Sequence, residues 1–298
     1  MNLIASNPRS SLFRPRRGML NLRVIIALVI ALFGLIGYLG KRSTNPVTGE
    51  TQYVSLDPKQ EIALGLQAAP RMAEQMGGVL PASDPRAATV ARVGAKLVQR
   101  SEAGKPESPY AQNFRFYLLG DPKTINAFAL PGGPIFITAA LYEKLENEAQ
   151  LAGVLGHEIG HVVNRHAAEH MAKGQLGGML ATAVGVGASD NRGRGFGTAI
   201  AAQAANQVIQ LRFGRQDETE SDTYGLRYMI EAGYDPRQMI GVMEILRDAS
   251  QGRRGGGWSI LQSHPNPELR LEQIAAMIKQ MYPGGVPATL TEGEPLPR

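Results

Sequence analysis

The stretch that most constrains this chain is His157-Glu158-Ile159-Gly160-His161, set in an apolar run from Leu151 to His166. Histidines four apart lie one above the other on a helix, so both imidazoles can reach one metal ion. Glu158 sits one step around the helix. It is poorly aimed to join the ligands and well placed to take a proton from a water at the ion. With five His in 298 residues, independent placement gives on the order of 0.005 such matches per chain, so coincidence on a solvated helix face is a poor account. Leu151, Val154, Leu155, Val162 and Val163 make this helix apolar, while Gly153, Gly156 and Gly160 let a neighbour approach closely. The flanks therefore fit an apolar helix with close packing around a metal site.

A third ligand has to come from elsewhere in the chain. The chain has no cysteine, so the metal must be held by His and carboxylate, a donor set suited to a catalytic zinc with an open position. The extended pattern H-E-x-x-H-x-x-G-x-x-H fails, because Asn164 and Ala167 occupy the required Gly and His positions. His166 and His170 read as cap, packing or surface residues, since five residues past His161 is about 140° further round the same helix. Glu218 is the better candidate, with Asp222 one turn later on the same face to accept a hydrogen bond from a ligating imidazole. The run Asp217 to Asp222 also fits a solvated acidic helix start.

Charge is distributed unevenly. Residues 1–42 hold seven basic residues and no acid, which leaves the rest of the chain near neutrality despite a net charge of +5. No basic stripe remains for a folded domain, and no nucleic-acid partner is expected. Val24 to Gly40 is an uncharged run of 17 residues, about 26 Å as a helix, with Arg23 and Lys41 placed to snorkel from its ends. The expected organisation is a basic segment at 1–23, a transmembrane anchor at 24–40, a turn-rich linker at 41–56, a folded domain at 57–282 and a Pro- and Gly-rich, disordered tail at 283–298. The positive-inside bias keeps the N-terminus in the cytoplasm. This predicts a single-pass protein of the bacterial inner membrane with its catalytic domain in the periplasm. The acid-free, Arg- and Ser-containing start also fits a transit peptide, making the mitochondrial inner membrane the alternative.

Within the folded region, Asp57-Pro58 and Asp84-Pro85 each predict a helix start, and Pro70 a kink. Phe114 to Leu119 reads as a strand. Ile125 to Leu130 and Pro134 to Thr138 read as a hairpin around the turn Pro131-Gly132-Gly133. Residues 174–211 are rich in Gly, Ala and small aliphatics, too dilute in apolar content for membrane spans. They fit either a helical lid over the site or an ordinary packed pair. Helices are also expected from Arg212 to Gly233, from Asp235-Pro236 onward, and from Asn266-Pro267 to about Met281. The fold class is α+β and mostly helical, with a small β-hairpin or sheet at the cleft.

Four blocks in order, Asn126-Ala-Phe-Ala-Leu-Pro-Gly-Gly133, His157 to His166, Arg215-Gln-Asp-Glu-Thr-Glu-Ser-Asp222 and Ser263-His-Pro-Asn-Pro-Glu-Leu-Arg270, resemble the gluzincin zinc metalloendopeptidases of the HtpX and Oma type. That family is related to the CAAX prenyl protease and the periplasmic β-barrel-assembly-enhancing protease. The resemblance implies a zincin-like metallopeptidase domain over 57–282, with one Zn2+ per chain held by His157, His161 and Glu218. Glu158 is then the catalytic base, and Asp222 and Arg215 stand behind the ligands. Asn126 and Phe128 belong to an edge strand on which a peptide substrate lies. His264 faces the site, either stabilising the oxyanion or latching the metal's open position; it also fits as a cap ahead of Pro265. Ser221 stands where alanine is usual.

The implied function is that of a membrane-anchored, zinc-dependent endopeptidase hydrolysing peptide bonds of misfolded or unassembled envelope proteins, in protein quality control. The alternative is a catalytically latent zinc protein that binds client or partner membrane proteins. A third reading, an intramembrane prenyl-protein processor, is weakened by the single predicted span.

Overall fold

The computed structural model describes residues 22–188, 213–251 and 260–298. Helix α1 (Leu22–Leu39) is long and apolar enough to cross a membrane, and most of its side chains are exposed. A short antiparallel hairpin follows, β1 (Arg42–Thr44) with β2 (Thr51–Tyr53).

The two Asp-Pro signals start helices. For α2 (Pro58–Gln75), Gln60 N donates to Asp57 Oδ1 at 2.8 Å and Asp57 N donates to Gln60 Oε1 at 2.9 Å, a reciprocal cap that satisfies two orphan donors. The helix continues through Pro70. At α3 (Pro85–Arg100), the Asp84 carboxylate accepts from Arg86 N at 2.9 Å.

Three strands form the sheet beside the cleft, in the order β3 (Arg115–Leu119), β5 (Pro134–Thr138), β4 (Ala127–Ala129). β4 and β5 make the expected antiparallel hairpin, and β3 joins β5 in parallel. Gly132 and Gly133 take φ of +80° and +135° in the connecting turn, conformations that a side chain would strain. β4 is an edge strand and packs against the helix that follows.

After the short α4 (Ala139–Tyr142), that helix is α5 (Glu148–Val163), buried along its whole length. Leu151, Leu155, Ile159 and Val163 are fully buried, each stabilising the fold by about 1.5 to 3 kcal/mol. Next come α6 (His166–Ala188), α7 (Arg215–Glu231), α8 (Gln238–Gln251), α9 (Ile260–Ser263) and α10 (Pro267–Met281). Small residues let α5 and α7 meet backbone to backbone. A Cβ on Gly160 would lie 3.0 Å from Ser221 Cα, and one on Gly225 would lie 3.0 Å from His157 N. Ser221 is fully buried in that contact.

Two expectations are corrected. Residues 41–56 are no slack linker, because their hairpin caps the end of α5. Asn45 Nδ2 donates to Val163 O at 2.8 Å and Gln52 Nε2 donates to Asn164 O, satisfying carbonyls that a helix end leaves orphaned. The tail is not disordered either. Glu148 N donates to Glu294 O, Leu296 N to Glu146 O and Asp235 N to Thr291 O at 2.8 to 3.1 Å, and Leu296 is buried. Its Pro and Gly content prevents regular structure but leaves the backbone free to bond with neighbours. The region 174–211 is described only to Ala188, where α6 lies along α1; the remainder of that expected helical pair lies outside the described residues.

Candidate metal centre

Helix α5 presents His157 and His161 on the face that meets α7, and α7 presents Glu218 and Asp222 back. α9 ends at Ser263, so His264 enters from a third direction. His161 Nε2 lies 3.0 Å from His157 Nε2, His264 Nδ1 lies 3.3 Å from His157 Nε2, and His264 Nδ1 lies 2.9 Å from Glu218 Oε1. One ligand atom from each of His157, His161, Glu218 and His264 falls within 4.8 Å of the others. Glu158, on the same helix, has Oε1 3.7 Å from His264 Nε2, and this oxygen finds no hydrogen-bond partner among the described residues although it is buried.

The outward nitrogens are held. His157 Nδ1 donates to Asp222 Oδ1 at 2.8 Å. His161 Nδ1 pairs with His166 Nδ1 at 2.8 Å, and His166 Nε2 in turn donates to Glu220 Oε2 at 3.1 Å. With those protons pointing away, the lone pairs of both Nε2 atoms face each other across 3.0 Å, which is repulsive unless a cation stands among them. This donor set of imidazole and carboxylate, with an orphaned buried carboxylate oxygen beside it, fits a divalent metal ion.

Electrostatics favour the same use. Burial, then the neighbouring imidazoles, hold His161 well below its ordinary pKa, so it stays neutral as a ligand must. Burial lowers His264, but Glu218 and Glu158 outweigh it and the net direction is up. Asp222 is raised by burial and lowered more strongly by Arg270, ending at about 2. Arg270 of α10 is the cation behind the cluster. Its Nε and Nη2 donate to Asp222 at 2.8 and 2.5 Å, and its Nη1 lies 2.8 Å from Glu218 Oε2, off the hydrogen-bonding axis. Phe213 stacks on His161 with centroids 4.0 Å apart, and its N donates to Ser263 O at 3.0 Å.

The structure thus brings together His157, His161, Glu158, Glu218, Asp222 and His264, and leaves others apart. Arg215, expected behind the ligands, is exposed on the first turn of α7, and the guanidinium beside Glu218 and Asp222 belongs to Arg270. Asn126 is buried just before β4, and its Oδ1 is without a partner among the described residues. Phe128 is half-buried on β4 and stacks on Phe136 at 4.9 Å. A narrow cleft lined by Ala129, Leu130, His161, Val162 and Phe213 separates the end of β4 from the cluster. A larger hollow lies on the far edge of the sheet near Phe114 and Phe116 and contains none of these residues. Sequence reasoning missed Arg270, His166 and Phe213. Arg270 stands at the end of the Ser263 block, which was its only signal.

Helices and a three-stranded sheet surround a histidine and carboxylate cluster built on one buried helix and completed from two other elements, and residues 84–278 match the family model of peptidase family M48. The chain belongs to that family. Among its relatives, the beta-barrel assembly-enhancing protease of Escherichia coli (strain K12) is 32% identical over 195 residues, 64% of this chain and 38% of that protein. The mitochondrial metalloendopeptidase OMA1 of Saccharomyces cerevisiae is 26% identical over 249 residues, 77% of this chain and 67% of the relative. OMA1 of Schizosaccharomyces pombe is 29% identical over 203 residues, 68% and 56% respectively. The match thus spans well under half of the first of these relatives.

Proposed function

We propose that this chain is a membrane-anchored, zinc-dependent endopeptidase that hydrolyses peptide bonds of misfolded or unassembled envelope proteins. The observation that carries the reading is the convergence of His157 Nε2, His161 Nε2 and Glu218 with Glu158 beside them, whose buried Oε1 has no hydrogen-bond partner among the described residues. His157, His161 and Glu218 would hold one zinc ion, which supplies Lewis-acid polarisation of the scissile carbonyl and acidifies the attacking water. Glu158 takes that water's proton and passes it to the leaving amine. Asp222 and Arg270 fix the ring of His157 and the carboxylate of Glu218. A substrate strand lies along the free edge of β4, with Asn126 and Phe128 marking its register. α1 is the anchor. The basic residues ahead of α1 favour a bacterial inner membrane with the domain on the periplasmic side; the mitochondrial inner membrane is the alternative, and the relatives include one from a bacterium and one named as mitochondrial. The peptidase domain occupies residues 57–282, with the 41–56 hairpin and the tail folded onto it.

A second reading, a latent zinc protein, is favoured by one feature. His264 stands where a fourth ligand would, and both it and Glu158 are almost fully buried. These readings combine if His264 is a latch. The test follows casein cleavage by the full-length protein in detergent. Activity that a chelator abolishes and zinc restores supports an endopeptidase, and stoichiometric zinc with no cleavage, even in His264→Ala, moves the latent reading ahead.

A further inference from the structure

Helix α6 leaves the metal centre at His166 and runs back along α1. Lys41 Nζ, just past the end of α1, donates to Gln175 Oε1 at 2.5 Å. Seven residues back along α1, a Cβ on Gly34 would lie 3.3 Å from Met179 Cβ, so the two helices run antiparallel. The covered side of α1 is one stripe, Ala27, Ile30, Ala31, Gly34 and Tyr38, with the helix otherwise exposed. Small residues in this stripe permit close approach, as in paired helices within lipid. At about 1.5 Å per residue, Ala188 reaches roughly the level of Ile25, near the start of the apolar run of α1. α6 therefore accompanies the anchor over most of its length.

Its chemistry suits that position. After Lys173 the next charged residue in sequence is Asp190, then Arg192 and Arg194. Lys173 and Lys41 mark one level, and the uncharged part of α6 continues from there beside the uncharged part of α1. Along it Met179, Leu180 and Val184 are 41%, 40% and 70% exposed, apolar side chains left open by the described residues. In water such a face is unfavourable, and it is continuous with the exposed apolar face of α1. In sequence, Gly195 to Leu211 ahead of α7 is also uncharged.

We propose that α6, from about Gly174 to Ala188, is a second membrane-embedded helix whose exposed face is covered by the acyl chains of the bilayer that holds α1. By composition alone this segment is too poor in large apolar residues to count as a span; paired lengthwise with α1 it presents only part of its surface to lipid. The metal centre then stands on the membrane surface. From His166, which contacts His161, to Gln175 is about 14 Å of helix. This proposal rests on reading α1 as the anchor.

The absence of cysteine in the chain makes the test direct. Full-length Lys173→Cys, Leu180→Cys, Val184→Cys and, on α1, Leu32→Cys are reconstituted in phospholipid vesicles, loaded on both sides with a charged maleimide and compared with the same samples in denaturing detergent. Lys173→Cys is expected to label readily. Leu180→Cys, Val184→Cys and Leu32→Cys should label more than roughly tenfold slower until the bilayer is dissolved, because the hydrocarbon core excludes a charged reagent. Val184 is exposed among the described residues, so none of them accounts for protection there. Nitroxides at 180 and 184 should correspondingly be accessible to oxygen and shielded from a polar nickel chelate. Val184→Cys labelling as fast as Lys173→Cys, with Leu32→Cys protected, overturns the embedding of α6 alone. Rapid labelling of Leu32→Cys as well overturns the anchor itself.

Discussion

Replacing Arg270 with methionine removes the one arginine or lysine that, among the described residues, is buried against the proposed ligands and their supports. Its guanidinium donates twice to Asp222, at 2.8 and 2.5 Å, and stands 2.8 Å from Glu218. All three groups are buried, with Asp222 wholly so. Methionine roughly fills the space, so the loss is electrostatic: two carboxylates remain buried without their counter-charge, costing about 3 to 5 kcal/mol. For a folded region of about two hundred residues, each kcal/mol moves Tm by about 2 to 4 °C, so the fall is roughly 6 to 20 °C. Glu218 and the His157 ring also lose what fixes them, which on the proposed ligand set weakens metal binding, measured with zinc, about 10- to 100-fold. Arg270→Lys falls in between, since one ammonium cannot bridge both carboxylates as a planar fork does. Asp222→Asn added to Arg270→Met recovers part of the stability by removing one stranded charge. Thermal unfolding of the metal-free full-length protein in detergent, followed by zinc competition, measures both effects. Unchanged zinc affinity with a Tm within about 2 °C of wild type refutes the reasoning.

Three further outcomes are expected. If His264 latches the fourth position as proposed and the closed form holds nine-tenths or more of the molecules, His264→Ala raises casein cleavage about tenfold; a fall in rate assigns His264 to the oxyanion instead. Arg86 holds Asp84 at about 2, below its ordinary 3.8, so this carboxylate stabilises the fold above that ordinary value and the contribution disappears as pH falls from about 4 to 2. Asp84→Asn should therefore flatten the Tm profile in that window, and an unaltered profile contradicts the pairing of Asp84 with Arg86. Leu296→Ala opens a cavity where the tail docks and should cost about 2 to 3 kcal/mol, read as a lower Tm; no change means the tail does not hold that position in solution.

The parts of the site written into one helix were legible in the sequence. Four-residue spacing puts His157 and His161 on one face whatever surrounds them, and Glu218 with Asp222 repeats the logic on α7. Contacts made by folding were not. Arg270 reaches Asp222 from another helix, and no local pattern announces that pairing. His166 was set aside on the assumption of one continuous helix. The chain instead breaks between α5 and α6, with Arg165 at φ +60°, and the break returns His166 to the outer nitrogen of His161. Helix starts at Asp57 and Asp84 followed from capping chemistry, and the β4–β5 hairpin from its glycine turn. The 41–56 hairpin and the tail were misread because turn-rich composition says little about whether a backbone finds partners.

The most direct test of the central claim is casein cleavage by full-length Glu158→Gln, measured beside its zinc content. Zinc close to one per chain with cleavage reduced to background is the predicted result, since the amide keeps the shape of the carboxylate and loses only its capacity to accept the proton. Cleavage at the wild-type rate, or loss of the metal together with activity, contradicts the role given to Glu158.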